Sequence, residues 1–225
     1  GIVVSAFFSS RRRHTRNQIV AGDKVLNLTA IDDDAGIYHK HFYDSLLISP
    51  LIKENTTICD IGSGAGFPGI VLAIARPDIH MTCVEPTTKR TNFLNRVVDE
   101  CGLKNVTVVN ERAEDYISEK RESFDYSTAR AVAYLDILSE LCLPFVKIGG
   151  VFSAMKGQKG LEEYDVSKKA ISILGGSFKA SHKFEDDVRG ERYNLEILKN
   201  KKTPNKYPRS YAKIKKTPLS GRNHE

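Results

Sequence analysis

The residues best placed to do chemistry lie in the run Ile58-Cys-Asp-Ile-Gly-Ser-Gly-Ala-Gly-Phe-Pro-Gly69. Closely spaced glycines let a backbone approach a ligand where a Cβ would intrude. Two registers fit. Gly62-x-Gly64-x-Gly66, with Asp60 two residues earlier, is the form that receives the methionyl-nucleoside S-adenosylmethionine. Gly64-x-Gly66-x-x-Gly69 is the dinucleotide form, and alone it is weak evidence. In the dinucleotide form the first glycine directly follows the strand and a pyrophosphate sits on the helix N-terminus. Here an apolar run ends at Ile61, so Gly62 comes first, and Phe67 stands where that form needs its third glycine. This spacing leans toward the methionyl-nucleoside, with Asp60 available to its ammonium group. Glu85 follows Gly62 by 23 residues and ends the next apolar run. An acid there can accept from both ribose hydroxyls in either cofactor class, so it does not discriminate.

These residues need a sheet to hold them. Strands are expected at Thr57–Ile61, Met81–Val84, Val106–Val109, Phe124–Thr128 and Gly150–Met155. Helices are expected between them at Pro68–Ala75, Thr88–Cys101, Ala113–Glu119, Tyr134–Leu143 and Leu161–Leu174. Phe178–Phe184 and Tyr193–Leu198 then form a terminal hairpin, and residues 23–56 a helical lead-in. Alternation of this kind implies an α/β, doubly wound Rossmann-like sheet, mostly parallel with one antiparallel edge strand. The ligand belongs at the carboxyl ends of the strands, where their order reverses.

The charge is uneven. Nine basic residues and no acid lie between Lys199 and Arg222, more than the whole net charge of +6, so the body is mildly acidic. Residues 200–225 therefore form a basic tail and 23–199 the catalytic domain. Within the tail Tyr207 and Tyr211 stand among Lys206, Arg209, Lys213, Lys215 and Lys216, a composition suited to phosphates and stacked bases. Residues 1–22 have no amphipathic period and are expected to be non-native or disordered. Cys59, Cys83, Cys101 and Cys142 form no Cys-x-x-Cys pair, which argues for reduced core thiols over zinc or disulfides. His39, His41 and Asp44 suggest a metal set, but on a helix positions two apart do not share a face. No apolar run reaches the ~18 residues of a membrane span, so a cytoplasmic, metal-free monomer is expected.

Several segments, in order, resemble the RsmG (GidB) family of small-subunit (16S) ribosomal RNA guanine-N7 methyltransferases. They are Asn27-Leu-Thr-Ala-Ile31, His41-Phe-Tyr-Asp-Ser-Leu46, Asp60–Gly69, Lys89-Arg90 with Phe93-Leu94, Asn110-Glu-Arg-Ala-Glu114, Thr128–Ala133, Lys156-Gly157 and Lys206-Tyr-Pro-Arg209. The likeness spans about residues 23–219. It lacks the additional N-terminal helix that the family carries before Asn27.

The resemblance implies a class I methyltransferase fold and S-adenosyl-L-methionine as cofactor, held against Gly62, Phe67, Ala113, Glu114 and Arg130. Ala113 and Glu114 follow the third strand, where an adenine commonly lies, and Arg130 follows the fourth, at the mouth. It also implies direct displacement on guanine N7, with no acid–base residue, and Arg130 or Lys156 donating to guanine O6. A nicotinamide-dependent oxidoreductase and a non-enzymatic RNA-binding module are the competing readings.

Overall fold

The computed structural model describes residues 19–21, 24–26, 38–130, 133–186 and 190–222, with side chains from residue 41 onward except Asp186. Two short strands, β1 (Ile19–Ala21) and β2 (Lys24–Leu26), pair antiparallel. They fall where the lead-in was expected to be helical or non-native. Residues 1–18 and the Asn27–Ile31 segment lie outside the described residues. Helical turns follow at Tyr38–Tyr43, Asp44–Leu46 and Ser49–Leu51.

Seven strands make the main sheet: β3 (Thr57–Ile61), β4 (His80–Val84), β5 (Val106–Val109), β6 (Phe124–Arg130), β7 (Val146–Lys156), β8 (Gly176–Asp186) and β9 (Gly190–Lys199). Their order is β5-β4-β3-β6-β7-β9-β8. Strands β3 to β7 pair parallel, and β9 runs against both β7 and β8. The terminal hairpin thus forms the mixed margin of the sheet, with its reversed strand one place in from the edge. Ile58 to Ile61 are all buried, as befits a central strand covered on both faces.

The crossovers are α1 (Gly69–Ala75), α2 (Thr88–Glu100), α3 (Ala113–Lys120), α4 (Leu135–Cys142) and α5 (Gly160–Ile173), and α6 (Tyr211–Lys216) follows β9. Side chains alternate along β3, so they feed two cores. Ile58 packs with Phe42, Phe67, Ile70 and Phe93 on one face. Cys59 and Ile61 pack with Ile117, Leu138 and Phe145 on the other. Cys59, Cys83 and Cys142 are buried and all four cysteines are free thiols.

The chain moves outward from β3 to β5, then returns across β3 to β6. That reversal opens a crevice at the carboxyl ends of β3 and β6. The segment after β9 packs back onto the second core through Tyr207 and Ile214. It is anchored by Lys199, whose fully buried ammonium donates to the Leu143 carbonyl and to Thr203 Oγ1 at 2.7 Å each.

Candidate active site

The loop after β3 is shaped by its own backbone. The N–H groups of Gly62 and Ser63 donate to the Val84 carbonyl, and Gly66 donates to Ser63. Gly62 and Gly64 take positive φ. Gly66 also has φ +92°, and a Cβ there would lie 2.6 Å from Ile70 Cγ1. Its glycine therefore serves the seating of α1, not access for a ligand. A Cβ on Gly69 would lie 2.7 Å from Asp60 Oδ2, the atom that accepts the Gly69 N–H.

Above this loop lies a cavity of about 550 Å³, within the range of small-molecule sites. Of the residues expected to hold the cofactor, Gly62, Gly64, Phe67, Glu85, Ala113, Glu114 and Arg130 line it. Asp60 and Gly66 do not. Strand alternation turns the Asp60 side chain under α1, where Oδ2 binds the first helical N–H and Oδ1 has no hydrogen-bond partner among the described residues.

Glu85 directly follows β4, and its carboxylate is held in two places. Oε2 accepts from Gly64 N at 3.1 Å and Oε1 from Thr87 N at 3.0 Å. Arg90 approaches Oε1 at 3.6 Å. The carboxylate is buried yet borders the cavity, so it presents fixed acceptors suited to a diol. From sequence no cofactor role was expected of Ser63, Thr87, Arg90, Arg112 or Leu141, which also line the cavity, and Tyr211, another lining residue, was expected only to stack on bases. Leu141 carried no signal, being one apolar residue on a helix face.

Arg130 is the last residue of β6, not a residue beyond it. Its Nη1 donates to Asp44 Oδ2 at 3.1 Å, and Nη2 lies 3.0 Å from His41 Nδ1. The guanidinium sits 5.2 Å from the Phe67 ring, on which His41 also stacks at 4.9 Å. His41 and Asp44 thus converge on an arginine. Among the described residues no group of three or more His, Cys, Asp or Glu is placed to hold a metal. The His39 side chain lies outside them. No helix of the described residues is long and apolar enough to cross a membrane.

The basic segment divides. Lys206, Lys213, Lys215 and Lys216 are exposed. Tyr207 is buried in the core, and Arg209 grips the fully buried Glu140 with Nε at 2.8 Å and Nη2 at 2.6 Å. Tyr207 is thus a core residue, and the half-buried Arg209 is engaged by Glu140, so both serve as structural anchors. Lys156 is likewise committed, to Glu163 at 2.6 Å and the Ala133 carbonyl at 2.9 Å. Tyr211 lines the cavity, and its N–H is accepted by Glu114 Oε1.

The strand order, the glycine loop and the fixed acid at the end of the second parallel strand define a class I methyltransferase. The model of the GidB family, rRNA small subunit methyltransferase G, matches residues 14–192. The chain belongs to that family. It is 46% identical over 207 residues to ribosomal RNA small subunit methyltransferase G of Staphylococcus carnosus, covering 89% of this chain and 86% of that one. The Staphylococcus epidermidis counterpart is 47% identical over 205 residues, with the same coverage. Among solved structures, TYW2 from M. jannaschii in complex with AdoMet superposes with a TM-score of 0.61 at 14% identity, over 84% of this chain and 90% of that one. A SAM-dependent methyltransferase from Aquifex aeolicus gives 0.56 at 19% identity, over 74% and 94%.

Burial pushes the Asp60 carboxyl up to about 6, although the Ser63 and Gly69 hydrogen bonds oppose the rise. Its ordinary value is 3.8, so the folded state holds this proton more tightly than the unfolded chain does. The associated stability is present below pH 4 and is lost as pH rises through 6. Above that the buried charge costs about 3 kcal/mol at most. Asp60→Asn keeps an acceptor for Gly69 and removes the charge. Thermal unfolding from pH 4 to 8 should show the variant gaining on the parent between pH 4 and 6, with the gain level above. A pH-independent difference would contradict this account.

Proposed function

We propose that this chain transfers the methyl group of S-adenosylmethionine to N7 of a guanine in small-subunit (16S) ribosomal RNA, acting as a monomer in the cytoplasm. The carrying observation is the switch-point cavity bounded by the Gly62–Ala65 backbone and the pinned Glu85 carboxylate, in a chain of this family. The residues present fit the cofactor. The open backbone at Gly62 and Gly64 admits its methionyl part. Glu85 offers its two oxygens to the ribose diol. Ala113, beside Arg112 and Glu114 at the start of α3, closes on the adenine.

S-adenosylmethionine supplies an electrophilic methyl group on a sulfonium. Held by the Gly62–Ala65 backbone and Glu85, it would supply that methyl group to guanine N7, its carbon–sulfur electron pair staying with sulfur and the positive charge passing to the base. N7 carries a lone pair and no proton, so the residues need remove none. Their work is alignment, which can supply much of the barrier reduction. This fits a cavity that Arg130 lines and that holds no base–nucleophile pair among its described lining residues. In A-form RNA the edge bearing N7 lies in a deep, narrow groove, so the target base must be splayed out. Lys206, Lys213, Lys215 and Lys216 offer phosphate contacts for the surrounding strand.

A nicotinamide-dependent oxidoreductase and a non-enzymatic RNA-binding module make different predictions. Calorimetry should show S-adenosylmethionine binding and no heat from NAD. Incubation with small-subunit RNA from cells lacking the activity should yield 7-methylguanosine by nucleoside mass spectrometry. Binding of NAD alone, or absence of 7-methylguanosine, would defeat the proposal.

A further inference from the structure

A second cavity of about 280 Å³ adjoins the first, and His41 and Arg130 belong to the walls of both. Its far side is formed by Met155, Lys156 and Gly157 at the end of β7, by Glu163 of α5, and by Arg192, Tyr193 and Asn194 of β9. Strand β9 runs against its neighbours, and Asn194 pairs with Met155 in register. The start of the reversed strand therefore reaches the ligand-bearing end of the sheet. That is why a residue this late in the chain faces the same crevice as the glycine loop.

The polar groups of this cavity are unevenly satisfied. Arg130, Lys156 and Glu163 are all engaged: Arg130 with Asp44 and His41, Lys156 with Glu163 and Ala133. Asn194 is only 1% exposed. Its amide oxygen accepts from Ser153 Oγ at 2.8 Å, which fixes the plane of the amide. Among the described residues its Nδ2 has no hydrogen-bond partner, and neither does the buried Nε of Arg192. Burying an amide N–H without an acceptor costs about 1–3 kcal/mol, so two such donors lining one cavity call for an occupant rich in acceptors. The cations in this wall, Arg130, Lys156 and Arg192, favour a carbonyl oxygen over a second cation.

We infer that this second cavity receives the splayed target base, and that the Asn194 amide N–H reads guanine O6. The inference rests on the guanine-N7 reading above. O6 lies beside N7 on the base, so a donor on the β9 side holding O6 leaves N7 facing the shared Arg130–His41 wall and the first cavity. Adenine would present an amino group at the same place, donor against donor, and would be refused. The role that sequence gave to Arg130 or Lys156 in holding O6 passes to Asn194, because both of those cations are spent on carboxylates. Asn194 is a specificity-determining residue, and Ser153 positions it.

The test is Asn194→Asp, which retains an acceptor for Ser153 and replaces the N–H donor with a carboxyl oxygen, adding an ionisable group at this buried position. On small-subunit RNA lacking the modification, kcat/KM should fall about 10- to 100-fold. The affinity for S-adenosylmethionine by calorimetry should stay within about twofold of the parent, since Asn194 does not touch the first cavity. Turnover equal to the parent would overturn the assignment while leaving the methyltransferase reading intact. If the parent itself makes no 7-methylguanosine, the underlying reading fails first. A measurement on the unaltered protein guards against a variant that does not fold. Guanosine should inhibit methyl transfer at concentrations at least about tenfold lower than 2-aminopurine riboside, which lacks O6 but keeps N7. Equal potency, or inhibition by neither, would overturn the O6 contact.

Discussion

Replacing Arg130 with alanine should lower kcat/KM for ribosomal RNA by about 10²-fold, the scale of misplacing a bound substrate by about an ångström. The arginine is the wall between two cavities, and its side chain ties together three others. Asp44 holds one arm, His41 meets the other, and Phe67 lies beneath. Burial lowers its pKa, and the Asp44 carboxylate beside it works in the opposite direction. Removal takes the Arg130 cation away from the Asp44 carboxylate, whose side chain is 11% exposed. Breaking a buried pair in this way costs about 3–5 kcal/mol.

Two losses are therefore predicted, and Arg130→Lys separates them. A lysine can neutralise Asp44, but its single ammonium cannot bridge Asp44 and His41 as a planar fork does. Thermal unfolding of the lysine variant should recover most of the parent stability, whereas methyl transfer should stay well below it. A folded alanine variant with near-normal turnover would refute the positioning role. Full activity in the lysine variant would reduce that role to charge alone.

The parts of this site that sequence disclosed are those that depend on local spacing. Gly62 and Gly64 follow an apolar strand directly, and Glu85 closes the next one, so periodicity alone put them at the crevice. The same periodicity contained the correction for Asp60. It lies in register with Ile58, on the face that α1 covers, and so belongs beneath the loop. Gly66 was misjudged because a glycine needed for helix packing is indistinguishable in sequence from one that admits a ligand. Only the 2.6 Å approach to Ile70 separates the two.

Pairings across long separations were not available at all. His41 and Asp44 meet Arg130 from 89 and 86 residues away. Asn194 is an ordinary strand residue until the reversal of β9 brings it beside Met155. In the basic segment, counting charge found the exposed lysines but could not see that Arg209 faces a buried acid. Nor could it see that Tyr207 and Ile214, spaced among those lysines, are core residues.

That segment carries the second large effect. Arg209→Ala should destabilise the protein by about 3–5 kcal/mol, because Glu140, fully buried on α4, loses two side-chain hydrogen bonds and the cation that pairs with it among the described residues. For a chain of this size that is roughly a 10 °C drop in the unfolding midpoint. The backbone N–H of residue 209 can still donate to Glu140, so the loss falls on the guanidinium.

The damage should extend to the cofactor cavity. Two residues further on, Tyr211 enters that cavity, and its N–H is held by Glu114. Loosening the segment at Arg209 should weaken S-adenosylmethionine binding by calorimetry, although Arg209 itself does not line the cavity. The double variant Arg209→Met with Glu140→Leu discriminates charge from packing, because replacing both partners with apolar groups leaves no buried charge unpaired. It should regain most of the lost stability and, with the segment seated again, the cofactor affinity. If the double variant unfolds as early as Arg209→Ala, the stranded carboxylate is not the cause. If it recovers stability without recovering affinity, the guanidinium acts on the cavity by some route other than the seating of Tyr211.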